Sequence, residues 1–344
     1  MPHRNGAPRG RDDGSRRGRE APLYAALDLG TNNCRLLVAR PARDGFRVVD
    51  SFSRIVRLGQ GLSASGALAE AAMDRAVDAL QHCAEKIARR GVSADRVSAV
   101  ATQACRMAGN GEAFIARVRT ETGIQLRIIE PEEEAALAVA GCRNLLDSRA
   151  PAALIVDVGG GSTELSWLSR RGQGDQADWI VIDWMSMPLG VVSLAERWPE
   201  PDGGGDPWYE SMVDDVRGAL KGREVAETLR PHFETGAAHL VGTSGAITSL
   251  AGVHLGLARY ERSKVDGLWM DKVQCQAAAR KLHDLGPDGR AREACIGPDR
   301  ADLVLAGAAI LEGIQREWPC PRVRVADRGL REGLLLNRMR QERG

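Results

Sequence analysis

Two rhythms of apolar and polar residues run through the chain, an alternation that predicts strands and a three-to-four spacing that predicts helices. From Leu23 to Val49, alternating segments broken at Pro41, Asp44 and Gly45 predict three antiparallel strands. Ala67 to Arg90 sets Leu68, Ala72, Ala76, Ala79, Leu80, Cys83 and Ile87 on one side of a helix. A strand at Val97–Ala101, a helix over 111–121, a strand at Leu126–Ile129 and a helix from Ala135 to Leu146 complete a first half. After a link at 148–151, a second half opens on an apolar strand from Ala153 and a returning strand from Thr163. It continues with a strand at Trp179–Trp184, a helix from about Ser193, a helix over 208–229 and a strand from His239. A turn at Gly242–Ala246, a helix over 271–284, a largely buried helix over 303–315, a strand at Arg322–Ala326 and a closing helix after Gly333 end it. Strands alternating with helices predict an α/β fold. The expected division is a first lobe at 21–147, a second at 148–330, and a closing helix at 331–344 that packs back on the first lobe.

Both halves open on the same device. Leu27-Asp28-Leu29-Gly30-Thr31-Asn32 and Val156-Asp157-Val158-Gly159-Gly160-Gly161-Ser162-Thr163-Glu164 each run from apolar strand to acid to small-residue turn to returning strand. Glycine permits positive φ and removes the side chain, so successive backbone N–H groups can converge on an anion. An aspartate at the mouth of an anion cradle repels phosphate unless a divalent cation lies between them. Mg²⁺, held by Asp28 and Asp157, is the expected cation. Read singly, each copy is also an ordinary hairpin with a loose turn. Read together, they predict two lobes gripping one polyanion from both sides.

Composition narrows the classes. At 344 residues the chain suits two domains, and 43% hydrophobic with 27% charged residues is a globular make-up. A net charge of +1 offers no global field for nucleic acid or an anionic membrane, so an anion site must be local. Seven scattered cysteines without a Cys-x-x-Cys pair fit reduced thiols better than disulfides or zinc, and the six histidines show no metal-ligand spacing. With neither a membrane-length apolar run nor a signal-peptide core, the expected compartment is the cytoplasm. Residues 1–20, rich in Arg and Gly, are expected to be a disordered basic tail. No Gly-Lys-Ser/Thr sequence is present, which argues against a P-loop ATPase.

Further candidates sit at strand ends. Arg106, after the strand at Val97–Ala101, is placed to reach a ligand in an open α/β cleft and to fork onto phosphate. Glu130, Glu132, Glu133 and Glu134 surround Pro131 at a helix start; capping accounts for one or two of them and leaves one free to act as a general base. Gly242 and Ser244 lie in a third small-residue turn, which reads equally as a phosphate-facing turn and as a plain helix start. Arg57-Leu58-Gly59-Gln60-Gly61 begins like a Gly-x-Gly nucleotide turn but lacks the full fingerprint, and reads better as a loop entering a helix.

Laid out in order, the motifs at 28–32, 57–61, 101–106, 133–135, 157–164, 242–245, 298–302 and 331–333 resemble those of the exopolyphosphatase / guanosine pentaphosphate phosphohydrolase (Ppx/GppA) family. That family belongs to the superfamily of acetate kinase, the sugar kinases and actin. The resemblance spans residues 22 to 337 and implies two ribonuclease-H-like, actin-like ATPase lobes with mixed sheets flanked by helices and an active site in the cleft between them. It implies Mg²⁺-assisted removal of the terminal phosphate of inorganic polyphosphate, or alternatively of guanosine pentaphosphate, and a homodimer. By register the family's base falls on Glu134 rather than Glu133, and its arginine on Arg106. Its phosphate-loop residues fall on Asp28, Gly30, Thr31 and Asn32, and on Asp157, Gly159, Gly160, Gly161, Ser162 and Glu164. Pro131 replaces a usual Gly, and Asn33-Cys34 replaces Ser and an aromatic. Two further classes stay open, a superfamily kinase and a non-catalytic sensor of polyphosphate or the alarmone.

Overall fold

The first half forms a five-stranded sheet whose order places its opening strand in the middle. Strands β1 (Tyr24–Leu29), β2 (Asn33–Ala42) and β3 (Gly45–Ile55) make an antiparallel meander, and β4 (Val97–Ala101) and β5 (Arg127–Ile128) run parallel to β1, in the order β3-β2-β1-β4-β5. The computed structural model describes residues 21–43, 45–172, 177–222 and 224–342. The expected basic tail lies outside them.

The second half repeats the plan. Strands β6 (Ala152–Val158), β7 (Thr163–Arg171), β8 (Asp178–Met187), β9 (His239–Thr243), β10 (Trp269–Asp271) and β11 (Arg322–Ala326) assemble in the order β10-β11-β9-β6-β7-β8. Here β6 pairs antiparallel with β7 and parallel with β9, as β1 does with β2 and β4. All seven residues of β6 are buried, as expected of a central strand covered on both faces. Residues at or just beyond the carboxyl ends of β1, β4, β6 and β9, namely Asp28, Thr102, Asp157 and Ser244, line a common crevice.

Helices cover both faces of each sheet. Helix Glu70–Arg89 packs Ala72, Ala76, Leu80 and Cys83 on one face of the first sheet, joined by Phe114 and Val118. On the other face lie helix Pro131–Cys142 and the closing helix Leu330–Gln341, whose Leu137, Leu334, Leu335 and Met339 meet Tyr24, Ala26 and Leu37. These two helices touch backbone to backbone: a Cβ on Gly333 would overlap the Leu137 carbonyl, and one on Gly141 the Gly329 carbonyl. Helix Val304–Glu317 is buried from Val304 to Leu311 in the core of the second lobe.

Several boundaries differ from the expected ones. The helix expected from Ala135 begins at Pro131, which suits the first helical turn, so Glu132–Glu134 occupy that turn. The helix expected over 208–229 ends at Ala219; the chain turns at Gly222, φ +81°, and continues as short helices Glu224–Glu227 and Arg230–Glu234, the second carrying Pro231 in its first turn. Strand β3 runs on to Ile55, beyond Val49. Among the described residues no helix is long and apolar enough to cross a membrane.

Candidate active site

The two hairpins share one backbone hydrogen-bond pattern and one register. Gly30 N–H donates to the Asn33 carbonyl at 2.9 Å, and Gly159 N–H to the Ser162 carbonyl at 2.9 Å. Asp28 faces Arg35 across β1 and β2 in the register in which Asp157 faces Glu164 across β6 and β7. All four residues line one cleft of about 890 Å³, counting the space open to solvent.

The glycines act by their size, which corrects the expected role of positive φ. None of Gly30, Gly159, Gly160 and Gly161 takes a positive φ. A Cβ on Gly160 would lie 2.9 Å from Thr31 Cβ and 3.0 Å from Asn32 N, and one on Gly161 would overlap the Gln103 amide. One on Gly159 would lie 2.8 Å from the Ser162 carbonyl. The loops of the two lobes thus meet in direct contact. Positive φ occurs instead at Ser244, φ +80°, where a side chain makes it costly; Ser244 opens helix Ser244–His254 and donates from Oγ to Asp157 Oδ1 at 2.8 Å.

Four acids share this poorly solvated space, and burial raises each one's proton affinity. Burial lifts Asp28 to about 6, with the Arg35 charge pulling the other way. Asp157 is raised by burial and partly restored by its Ser244 hydrogen bond. Glu164, which accepts from Ser186 Oγ at 2.8 Å, is pushed up to about 7 by burial and then by the Asp157 charge. Glu134 is held well above the usual carboxylate range by burial and then by the Glu164 charge, against the pull of Arg106.

The acids of the first turn part company here. Glu133 points outward, pairs with Arg127, and is held below its usual range by that hydrogen bond. Glu134 is buried and reaches the cleft.

Most of the sequence-derived candidates come together on the cleft wall: Asp28, Gly30, Thr31, Asn32, Glu134, Asp157, Gly159, Gly160, Gly161, Ser162, Glu164 and Ser244. Two do not. Arg106 stands off the wall, its Nη1 3.4 Å from Glu134 Oε2 and hydrogen-bonded to the Ile129 carbonyl. Gly242 is buried within β9, where a Cβ would press on Ile247 at 3.0 Å, so it serves packing and Gly245 takes the place on the wall. Sequence reasoning missed Arg35, Gln103 and Arg300, which also line the cleft. Among the described residues neither Arg35 nor Arg300 makes an ion pair, although Arg35 is buried enough to lower its proton affinity. A signal existed for Arg35: it interrupts the apolar stretch Cys34–Ala39 at the start of β2, just past the first turn.

The donor set suits a hard cation. Asp28 and Asp157 present carboxylate oxygens at matching strand ends, and Asn32 Oδ1 is buried without a hydrogen-bond partner. Among the described residues no three His, Cys, Asp or Glu side chains converge as a ligand group. A cation here would complete its sphere with water and substrate oxygens, the usual habit of Mg²⁺.

Comparison with known proteins agrees with this architecture. The chain is similar to the Aquifex aeolicus member of the Ppx/GppA family at 26% identity and TM-score 0.74, over 94% of this chain and 99% of that one. It is similar to a crystal structure described as an exopolyphosphatase-like protein at 28% identity and TM-score 0.81, over 95% and 100% of the two chains. A Cytophaga hutchinsonii exopolyphosphatase at 23% identity and TM-score 0.79, over 93% and 98%, shares the fold. The family model described as the Ppx/GppA phosphatase family matches residues 37–342. With two lobes built on mixed sheets, duplicated acid-tipped hairpins and this match over most of its length, the chain belongs to the Ppx/GppA phosphatase family, and it is a phosphoanhydride hydrolase.

Proposed function

We propose that the protein is an exopolyphosphatase that removes the terminal phosphate of inorganic polyphosphate by attack of a water activated by Glu134. The observation that carries the reading is that Glu134 reaches the same cleft as both acid-tipped hairpins while its neighbour Glu133 is tied outside. A carboxylate with raised proton affinity is the stronger base, provided it is ionised when substrate arrives. Arg106 orients Glu134 and favours its charged form. Backbone N–H groups of the two loops, with Arg35 and Arg300, meet the negative charge of the phosphate chain and of the transferring group. Asp28 and Asp157 would hold Mg²⁺, which when bound supplies charge neutralisation between these carboxylates and the phosphates.

The test is phosphate release from medium-chain polyphosphate and from guanosine pentaphosphate, each with Mg²⁺ and with chelator. The reading expects faster, Mg²⁺-dependent release from polyphosphate. Faster release from guanosine pentaphosphate would make the alarmone the substrate. Label appearing in an organic acceptor would make the protein a kinase, and tight binding without turnover a sensor.

A further inference from the structure

The motif Arg57–Gly61 takes no part in the chemistry above, yet it is wired to it at both ends. The Asn32 carbonyl accepts from Val56 N–H at 2.9 Å and Arg57 N–H at 3.0 Å, and the Thr31 carbonyl from Gly59 N–H at 2.9 Å. A Cβ on Gly59 would overlap the Thr31 side chain. The segment is thus a stiff extension of the first phosphate loop. On its other side Arg57 crosses to the second lobe, with Nη1 and Nη2 at 2.9 and 3.2 Å from the two Asp302 oxygens and Nη2 at 3.2 Å from the Asp299 carbonyl. Gly61 N–H adds a second crossing, 2.9 Å to Glu196 Oε1. Between Asp299 and Asp302 sits Arg300, a cation on the cleft wall.

Arg57 holds φ +49°, a conformation that a residue with a Cβ adopts at a cost. Its pair with Asp302 is half-exposed, a class of ion pair that contributes little to stability. Strain upheld for little stability points to a role in the working cycle. We propose that Arg57 and Asp302 form an interlobe latch that holds the first phosphate loop and Arg300 at their working separation, making Arg57 a positioning residue for substrate capture. The proposal rests on the hydrolase reading above and adds to it the device that keeps the cleft closed on a polyanion. A protein that spends part of its time unlatched binds more weakly in proportion to the closed fraction, while the bound complex reacts as before.

The experiment compares Arg57→Ala, Asp302→Asn, the two combined, and the exchange Arg57→Asp with Asp302→Arg, all as full-length protein. Asp302→Asn leaves the strained turn untouched and carries the test if Arg57→Ala fails to fold. The latch predicts that each single change raises KM by about tenfold with kcat within about twofold, that the combination is no worse than either, and that the exchange restores most of the loss. Small-angle scattering without substrate reads the latch independently of turnover, and Asp302→Asn should show a larger radius of gyration than wild type. A wild-type KM and radius for Asp302→Asn, additive losses in the combination, or a loss confined to kcat would each overturn the latch. Absent phosphate release from the wild-type protein would instead count against the hydrolase reading, and the scattering result would still decide the latch.

Discussion

Arg106 Nη1 lies 3.4 Å from Glu134 Oε2 and also donates to the Ile129 carbonyl, so one guanidinium group ties the candidate base to the chain just beyond β5. It is the cation that offsets the burial of Glu134 and the charges of Glu164, Asp28 and Asp157 around it. The arginine therefore acts through Glu134, from behind it.

Removing that cation should be visible in the pH profile. The base works ionised, and its proton affinity is already raised; without Arg106 it rises further, so the acid limb of kcat/KM moves to higher pH. Arg106→Ala should shift that limb by about one unit and lower the rate near neutrality by roughly tenfold or more, with partial recovery at alkaline pH. An unmoved acid limb would contradict the placement of Arg106 behind the base.

The buried acids should cost stability at neutral pH. Asp28 titrates at about 6 in the folded chain against an ordinary 3.8, so the native state holds its proton more tightly than the unfolded state does. Below the ordinary value both states are protonated and the group has no effect. As pH rises through the window from about 4 to 6 the penalty develops, and above it the penalty is complete. Asp28→Asn should therefore stabilise the protein by on the order of 3 kcal/mol near pH 8 and by close to nothing near pH 3.5, read from urea midpoints. A gain that is independent of pH would show that the carboxylate charge is not its source.

Two glycines of the matched hairpins should fail in different ways. A Cβ on Gly30 finds ordinary contact distances, 3.5 Å from the Asn33 carbonyl and 3.9 Å from Asp28 Oδ1, whereas one on Gly160 runs into Thr31 and Asn32 of the other lobe. Gly30→Ala should keep its melting temperature and lose activity through the methyl group beside Asp28. Gly160→Ala should lose both, with a stability cost of about 1–3 kcal/mol. Equal melting temperatures for the two variants would show that the loops have room to part.

Much of this was legible before folding was considered. The spacing from Asp28 to Arg35 matches that from Asp157 to Glu164, and the duplicated pattern predicted two lobes sharing a cleft. What stayed hidden depends on packing. Four acids near Pro131 look alike in one dimension, so the residues themselves left the choice open and only the family register pointed to Glu134; in the fold Glu134 is buried on the cleft wall while Glu133 pairs with Arg127. Gly242 and Gly245 are equally small, and only the strand end decides which faces the cleft. Arg300 was passed over because its motif read as a helix start. Its position on the cleft wall arises from segments far apart in the chain, and the Arg57 contacts with Asp302 and the Asp299 carbonyl hold those segments together.

The most direct test of the account is Glu134→Gln, assayed for phosphate release and for substrate binding on the same preparation. Glutamine keeps the shape and loses the basic oxygen, so turnover should fall on the order of a thousandfold while affinity stays within a few-fold. Phosphate release near the wild-type rate would contradict the assignment of Glu134 as the group that activates water.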